Sequence, residues 1–217
     1  MLKTDLKRIT LSFDNGPDPE TTPFVLDILA RRNIRTTFFV VGQNLEKARA
    51  PAERAAAEGH WIGNHTWSHS HPFRTNGDIE FVRAEIERTQ ELMGTLAHPS
   101  KLFRPFGGGG RLDGALNRTA TDHLSAGGYT CVLWNAVPGD FRDKDGWPQV
   151  AAQQIAARDW PLVVLHDIYA GAMRHLDGFL GTLQDQGYSF EQDFPPDCIA
   201  MQGGIHTKVM SEGVLAN

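Results

Sequence analysis

RITLSFDNGPDPETTPFVLDILARRNIRTTFFVV, residues 8–41, places two β-rich runs around one helical pattern. Residues 8–13 and 36–41 carry the β-branched and aromatic side chains that suit strands. Residues 22–33 carry apolar side chains at helical spacing. A strand, a helix and a strand in succession are the unit of a parallel sheet.

The alternation continues down the chain. Further β-rich runs are WIGN (61–64), KLFRPF (101–106), YTCVLW (129–134), PLVVLH (161–166) and GYSF (187–190). Helical patterns fill 44–59, 78–97, 112–128, 148–160 and 172–187. In the pattern at 78–97, Phe81, Ala84, Glu85, Arg88, Leu92 and Leu96 show mixed helical spacing. Gly59, Gly127 and Gly187 stand where helices commonly end. Seven strands alternating with six helices predict an α/β fold with a parallel sheet. Periodicity alone leaves an open doubly wound sheet and a closed barrel as equal readings. No repeat or linker divides the chain, so residues 1–217 read as one domain with a core at 8–190. Residues 191–217 show no clear period and read as an irregular tail.

Composition narrows the class. The chain has 217 residues, 41% hydrophobic and 22% charged, enough to bury a real core. A formal net charge of -5 without a long basic run argues against nucleic acid and against an anionic membrane. No apolar run reaches membrane-spanning length. The start, MLKTDLKRITLSF, has no apolar signal region. As written it reads as cytoplasmic, although an exported protein trimmed of its leader would begin the same way. Cys131 and Cys198 are too few for a disulfide framework, and Cys131 reads as a small core hydrophobe. Nothing in the pattern fixes an oligomeric state.

Polar residues gather at the predicted strand ends. Asp14 and Asn15 follow the first strand, and His65 and His69 the third. Arg104 ends the fourth, Asn135 and Asp140 follow the fifth, and His166 and Asp167 end the sixth. The carboxyl ends of parallel strands form one face, and that face carries the site. Each cluster alone reads equally well as loop chemistry; together they predict one mouth. In HTWSH (65–69), histidines at i and i+4 on a helical turn can reach one ion. His71 reads as an exposed loop residue rather than a spare ligand. In SFDNGPDP (12–19), Gly16-Pro17 enforces a turn that holds a carboxylate, although Asp and Asn also simply make turns. In LFRPFGGGG (102–110), an arginine able to pair with a carboxylate precedes a glycine-rich turn with free N–H groups. A phosphate cradle competes there, but no P-loop Lys-Ser/Thr follows. In VVLHD (163–167), a histidine leaves a buried strand, placed for acid–base work or satisfied in the core.

This ordered set resembles the polysaccharide deacetylase family, carbohydrate esterase family four. SFDNGP (12–17) resembles its TFDDGP motif, and His65-Thr66-Trp67-Ser68-His69 its H-[ST]-x-x-H motif. Arg104-Pro105-Phe106-Gly107, the segment from Trp134 to Phe141, and Val163 to Asp167 resemble the remaining three. The likeness covers residues 8 to about 190. It implies a distorted (β/α) barrel with about seven parallel strands. It implies a metal-dependent hydrolase that removes N-acetyl or O-acetyl groups from a GlcNAc-containing oligo- or polysaccharide. The implied cofactor is a divalent metal, zinc first and cobalt or nickel next, and the implied partner an acetylated sugar.

The resemblance also implies roles. Asp14 is the expected base, His65 and His69 hold the metal, and Arg104 orients Asp14. Asp140 tunes His166, the expected acid. A backbone N–H near Phe106 and Gly107 serves the oxyanion, and Phe141 and Leu165 form the slot for the acetyl methyl. The family's second aspartate is Asn15 here, a neutral and weaker metal donor. Asp18 is poorly placed to replace it between Pro17 and Pro19. The third motif is one residue short and ends in four glycines, and Ser70-His71 lengthens a loop at the mouth. Hydrolysis of a small non-sugar amide, or a catalytically silent glycan-binding role suggested by Asn15, are the competing functions.

Overall fold

A computed structural model of the protein describes residues 7–108 and 112–212. In chain order the first elements are β1 (Lys7–Asp14), α1 (Thr21–Arg31), β2 (Thr37–Val40), α2 (Gly42–Lys47), α3 (Arg49–Ala57) and β3 (Trp61–Asn64). Next come α4 (Ile79–Met93), β4 (Leu102–Phe103), α5 (Leu112–Ala115), α6 (Arg118–Ala126) and β5 (Thr130–Val132). Then follow α7 (Trp147–Ala156), β6 (Leu162–His166), α8 (Ala170–Met173), α9 (Leu176–Asp185) and β7 (Tyr188–Glu191). The chain closes with β8 (Ile199–Gln202), β9 (Ile205–His206) and α10 (Lys208–Glu212).

β1 is the central strand. Ile9, Leu11 and Phe13 share one core cluster with Val25, Leu26 and Leu29 of α1 and Phe179, Leu180 and Leu183 of α9. Side chains alternate along a strand, so Thr10, Ser12 and Asp14 face the other way. β1 pairs in parallel with β2 on one side. On the other, its first half pairs with β7 and its second half with β6, also in parallel. The parallel order continues through β3, β4 and β5. One isolated bridge, Ala136 to Val163, spans the gap between the chain after β5 and β6. The seven parallel strands follow the expected distorted-barrel order, with only that single bridge and no ladder between the chain after β5 and β6.

Three features differ from the sequence expectation. Within the tail, residues 199–206 are regular: β8 and β9 form an antiparallel hairpin that extends the sheet at β5. The pattern at 44–59 breaks at Ala48 (φ -140°, ψ 65°) into α2 and α3. Pro51 explains the break. In a continuous helix its ring would clash within the interior, whereas in α3 it lies in the first turn, where its missing N–H costs nothing. On α4 the buried stripe is Val82, Ile86, Thr89 and Met93, with Glu85 among them, rather than a stripe through Phe81, Arg88 and Leu96. Both cysteines are buried and free, as expected of Cys131. No helix among the described residues is long and apolar enough to cross a membrane.

Candidate active site

Asp14 and His166 end neighbouring parallel strands and are partners in register. Both therefore project from the same face at the same height. Asp14 is buried, and its Oδ1 accepts a 2.8 Å hydrogen bond from Nη1 of Arg104. The same nitrogen donates to Ser12 Oγ at 2.6 Å. Arg104 is fully buried, and its remaining nitrogens donate to the carbonyls of Val132 and Leu133, each at 3.2 Å. Its guanidinium also lies 4.0 Å from the centre of the Phe39 ring. Burial pulls the Asp14 carboxyl upward, but the Arg104 charge and hydrogen bond, with His166, outweigh it and hold Asp14 below its usual range. It is ionised at neutral pH.

His65 leaves β3 at the mouth, with Nε2 3.6 Å from Asp14 Oδ2. Its Nδ1 lies 2.8 Å from the Arg104 carbonyl. A carbonyl only accepts, so Nδ1 carries the proton and Nε2 keeps a free lone pair. The His69 ring lies 5.0 Å from that of His65 and stacks on Phe106 at 4.0 Å. Burial keeps both imidazoles neutral, holding His65 below its ordinary value and lowering His69 to about 4. The histidines do not share a helical turn, as their spacing predicted. Residues 65–69 form a loop with left-handed backbone at Thr66 (φ 69°) and His69 (φ 53°).

Asn15 also has left-handed backbone (φ 75°), a conformation Asn tolerates. Its Oδ1 is buried without a hydrogen-bond partner. Backbone bonds tie its turn and the histidine loop to adjacent residues: Val41 N–H donates to Gly16 O, and Gly42 N–H to Thr66 O. Among the described residues no three His, Cys, Asp or Glu side chains are grouped for a metal. Two neutral imidazoles and one orphaned amide oxygen are nevertheless a donor set that fits a divalent ion. Asp18 turns its Oδ1 to its own turn, accepting from the N–H groups of Glu20 and Thr21.

On the other flank, His166 Nδ1 donates to Asp140 Oδ1 at 2.8 Å, and the His166 N–H donates to Asp140 Oδ2 at 2.8 Å. Burial lowers the basicity of His166, but Asp140 outweighs it and raises the imidazole above its usual value. Phe141, 39% exposed, meets His166 edge-on at 5.2 Å. Gly107 has positive φ (82°) and packs against Pro72. Gly109 and Gly110, the end of the glycine run, lie outside the described residues. His71 is exposed, as its loop position suggested.

Two expected positions move, and Asp167 keeps its strand-end place but is turned into a buried contact. Leu165 does not line the mouth: it is fully buried in the cluster with Phe13 and α1. It neighbours His166 along the strand and so faces the opposite side, whereas Val164 shares the His166 face. Asn135 caps the far end of β6, accepting from Leu162 N–H at 2.8 Å. Asp167 is buried, with Oδ2 accepting from Thr22 Oγ1 at 2.5 Å, and burial pushes its carboxyl up to about 7. Sequence reading missed Ser12 and Glu85. Ser12 was legible as a polar residue on the Asp14 side of an apolar strand, and Glu85 as an acid within a helix's apolar stripe.

A barrel mouth that sets an ionised carboxylate and a carboxylate-tuned histidine beside two neutral imidazoles has the build of a metal-dependent hydrolase. The polysaccharide deacetylase family matches residues 2–132. A peptidoglycan-N-acetylglucosamine deacetylase of Listeria monocytogenes is 31% identical over 186 residues, covering 85% of this chain and 37% of the relative. A chitooligosaccharide deacetylase of Rhizobium leguminosarum bv. trifolii is 34% identical, covering 76% and 73% respectively. The structure of the peptidoglycan deacetylase PdaC from Bacillus subtilis superposes with a TM-score of 0.69 at 28% identity, over 85% of this chain and 87% of that one. The chain belongs to the polysaccharide deacetylase family, whose deacetylases are metal-dependent. It spans little more than a third of the length of the Listeria relative.

Proposed function

We propose that this chain hydrolyses the N-acetyl group of a GlcNAc-containing oligo- or polysaccharide, releasing acetate and leaving a free amine. One observation carries the reading. Asp14 is locked to Arg104 on one oxygen and turns the other toward the neutral Nε2 of His65. The deacetylase relatives support the substrate class.

A divalent metal, zinc first for an imidazole and oxygen set, would polarise the acetyl carbonyl and make water a nucleophile near neutral pH. His65, His69 and Asn15 are the residues that would hold it. Asp14, kept ionised by Arg104, accepts a proton from the attacking water through Oδ2. Arg104 fixes the carboxylate's orientation through Oδ1. His166, protonated through Asp140, gives a proton to the departing nitrogen. Backbone N–H groups near Phe106 and Gly107 donate to the developing oxyanion. Phe141, exposed beside His166, offers apolar surface to the acetyl methyl. The same steps serve an O-acetyl ester. Asn15 is the one observation that favours a silent, glycan-binding protein, and the intact Asp14–Arg104 and His166–Asp140 pairs oppose it.

Acetate release from chitooligosaccharides and acetylated xylan, with added zinc, cobalt or nickel, tests the reading. Metal-stimulated release is expected, and Asp14→Ala should lower its rate about 10²–10⁴-fold. Absence of metal-stimulated release from every acetylated substrate would overturn the proposal.

A further inference from the structure

The loop between His65 and His69 has a support that the chemistry above leaves unused. Left-handed backbone is unfavourable for a β-branched residue such as Thr66, and a loop with two such positions persists only where its surroundings over-determine it. One side of the loop is held by α2, where Gly42 and Gln43 N–H groups donate to the carbonyls of Thr66 and Trp67, each at 2.9 Å. The other side is held by α4. Glu85 Oε2 accepts from the N–H groups of Trp67 at 3.1 Å and Ser68 at 3.0 Å. Its Oε1 accepts from the Ser68 hydroxyl at 2.7 Å.

Glu85 is 5% exposed, and among the described residues no Lys or Arg pairs with it. A buried carboxylate without a cation is costly unless hydrogen bonds satisfy it. Here the donors are the loop's own: two backbone N–H groups and one hydroxyl. Neighbours reinforce the clamp. Asn64 accepts from Thr66 N–H at 2.9 Å and donates to the Ile86 carbonyl at 2.9 Å. The Arg88 guanidinium lies 3.4 Å from the centre of the Trp67 ring.

We infer that Glu85 is a positioning residue for the metal pair: its carboxylate fixes the peptides between the two imidazoles and so sets His69 against His65. The inference rests on the metal reading proposed above. An acid on the apolar stripe of a helix is a poor choice for packing alone, and all three of its bonds go to the segment between the two histidines.

The test compares the full-length wild type, Glu85→Gln, Glu85→Ala and Met93→Ala. Met93 is buried on the same helix, so its truncation removes packing without touching the loop. Zinc binding is measured by calorimetry, and amide hydrogen exchange at Trp67 and Ser68 is measured on metal-free protein. Glu85→Ala should weaken zinc binding about 10–100-fold, the usual effect of removing a residue that orients metal ligands. Glu85→Gln, which keeps one acceptor oxygen, should weaken it less. Both should speed exchange at Trp67 and Ser68, while Met93→Ala should leave zinc affinity and these two amides unchanged. Wild-type zinc affinity in both Glu85 variants, or an equal loss in Met93→Ala, would overturn the role of Glu85 and leave the proposed function standing. No zinc binding by the wild type would overturn the metal reading and the role of Glu85 as ligand positioner together. Should Glu85→Ala not fold, Glu85→Gln decides.

Discussion

At Asp14 and His166, burial and local charge oppose each other, and local charge wins at both. Asp14 stays ionised below the usual carboxylate range, and His166 stays protonated above the usual imidazole value. Activity that needs both forms rises on the acid side as Asp14 ionises and falls on the alkaline side as His166 loses its proton. Asp140→Asn removes the charge that raises His166 and leaves the burial that lowers it. The alkaline limb of kcat/KM should therefore move to lower pH, and an unmoved limb would show that His166 is not the titrating acid. Asn15 is the other residue with a clear expectation. Replacing a neutral donor by a carboxylate adds one negative charge beside the ion, so Asn15→Asp should tighten zinc binding in calorimetry. Equal affinities would mean that Asn15 does not limit the site. Residue types at strand ends made most of this arrangement legible in the sequence. Leu165 was misplaced because assigning it a role requires counting which face of the strand His166 takes.

The turn after β1 and the end of β6 behave as one unit. Thr22 Oγ1 donates to Asp167 Oδ2 and accepts from Asp18 N–H at 2.8 Å. Gly16 packs so closely on the Asp167 carboxyl that a Cβ there would overlap it. Burial raises Asp167 to about 7, so the folded protein favours its protonated form. The sign follows. A group raised on folding stabilises most below its unfolded value, about 3.9, and that contribution fades as pH climbs through about 7. Asp167→Asn should remove this loss, so the variant should gain on the wild type between pH 4.5 and 7.5 in urea midpoints. A constant difference would refute the assignment. Among the elements, those with strong periods were legible. The helix break at Ala48 was not, since its cause is the position of Pro51 within a turn. Nor was the β8–β9 hairpin legible: its strands are too short to show a period, and their pairing with β5 is a tertiary fact.

Arg104 joins the whole barrel across its interior, linking β4 to Ser12 and Asp14 of β1 and to the carbonyls at the end of β5. Breaking a buried ion pair strands the remaining charge, so Arg104→Met should cost about 3–5 kcal/mol in urea unfolding. A loss below about 1 kcal/mol, the scale of a surface pair, would show that the interior is wetter than its burial indicates. Strand alternation made the parallel sheet legible, but it could not choose between a barrel and an open sheet, because closure rests on pairings between distant segments. One of those pairings reaches further. β1 takes its partners on one side from β6 and β7, near the opposite end of the core. Such contacts give high contact order, which slows folding because loop-closure entropy is lost before distant pairing rewards it. During synthesis the first strand must wait for nearly the last ones, and Asp14 and His166 meet only when it stops waiting. A chain cut short before Leu162 would lose His166 and leave one edge of β1 open, with no working half of the site behind.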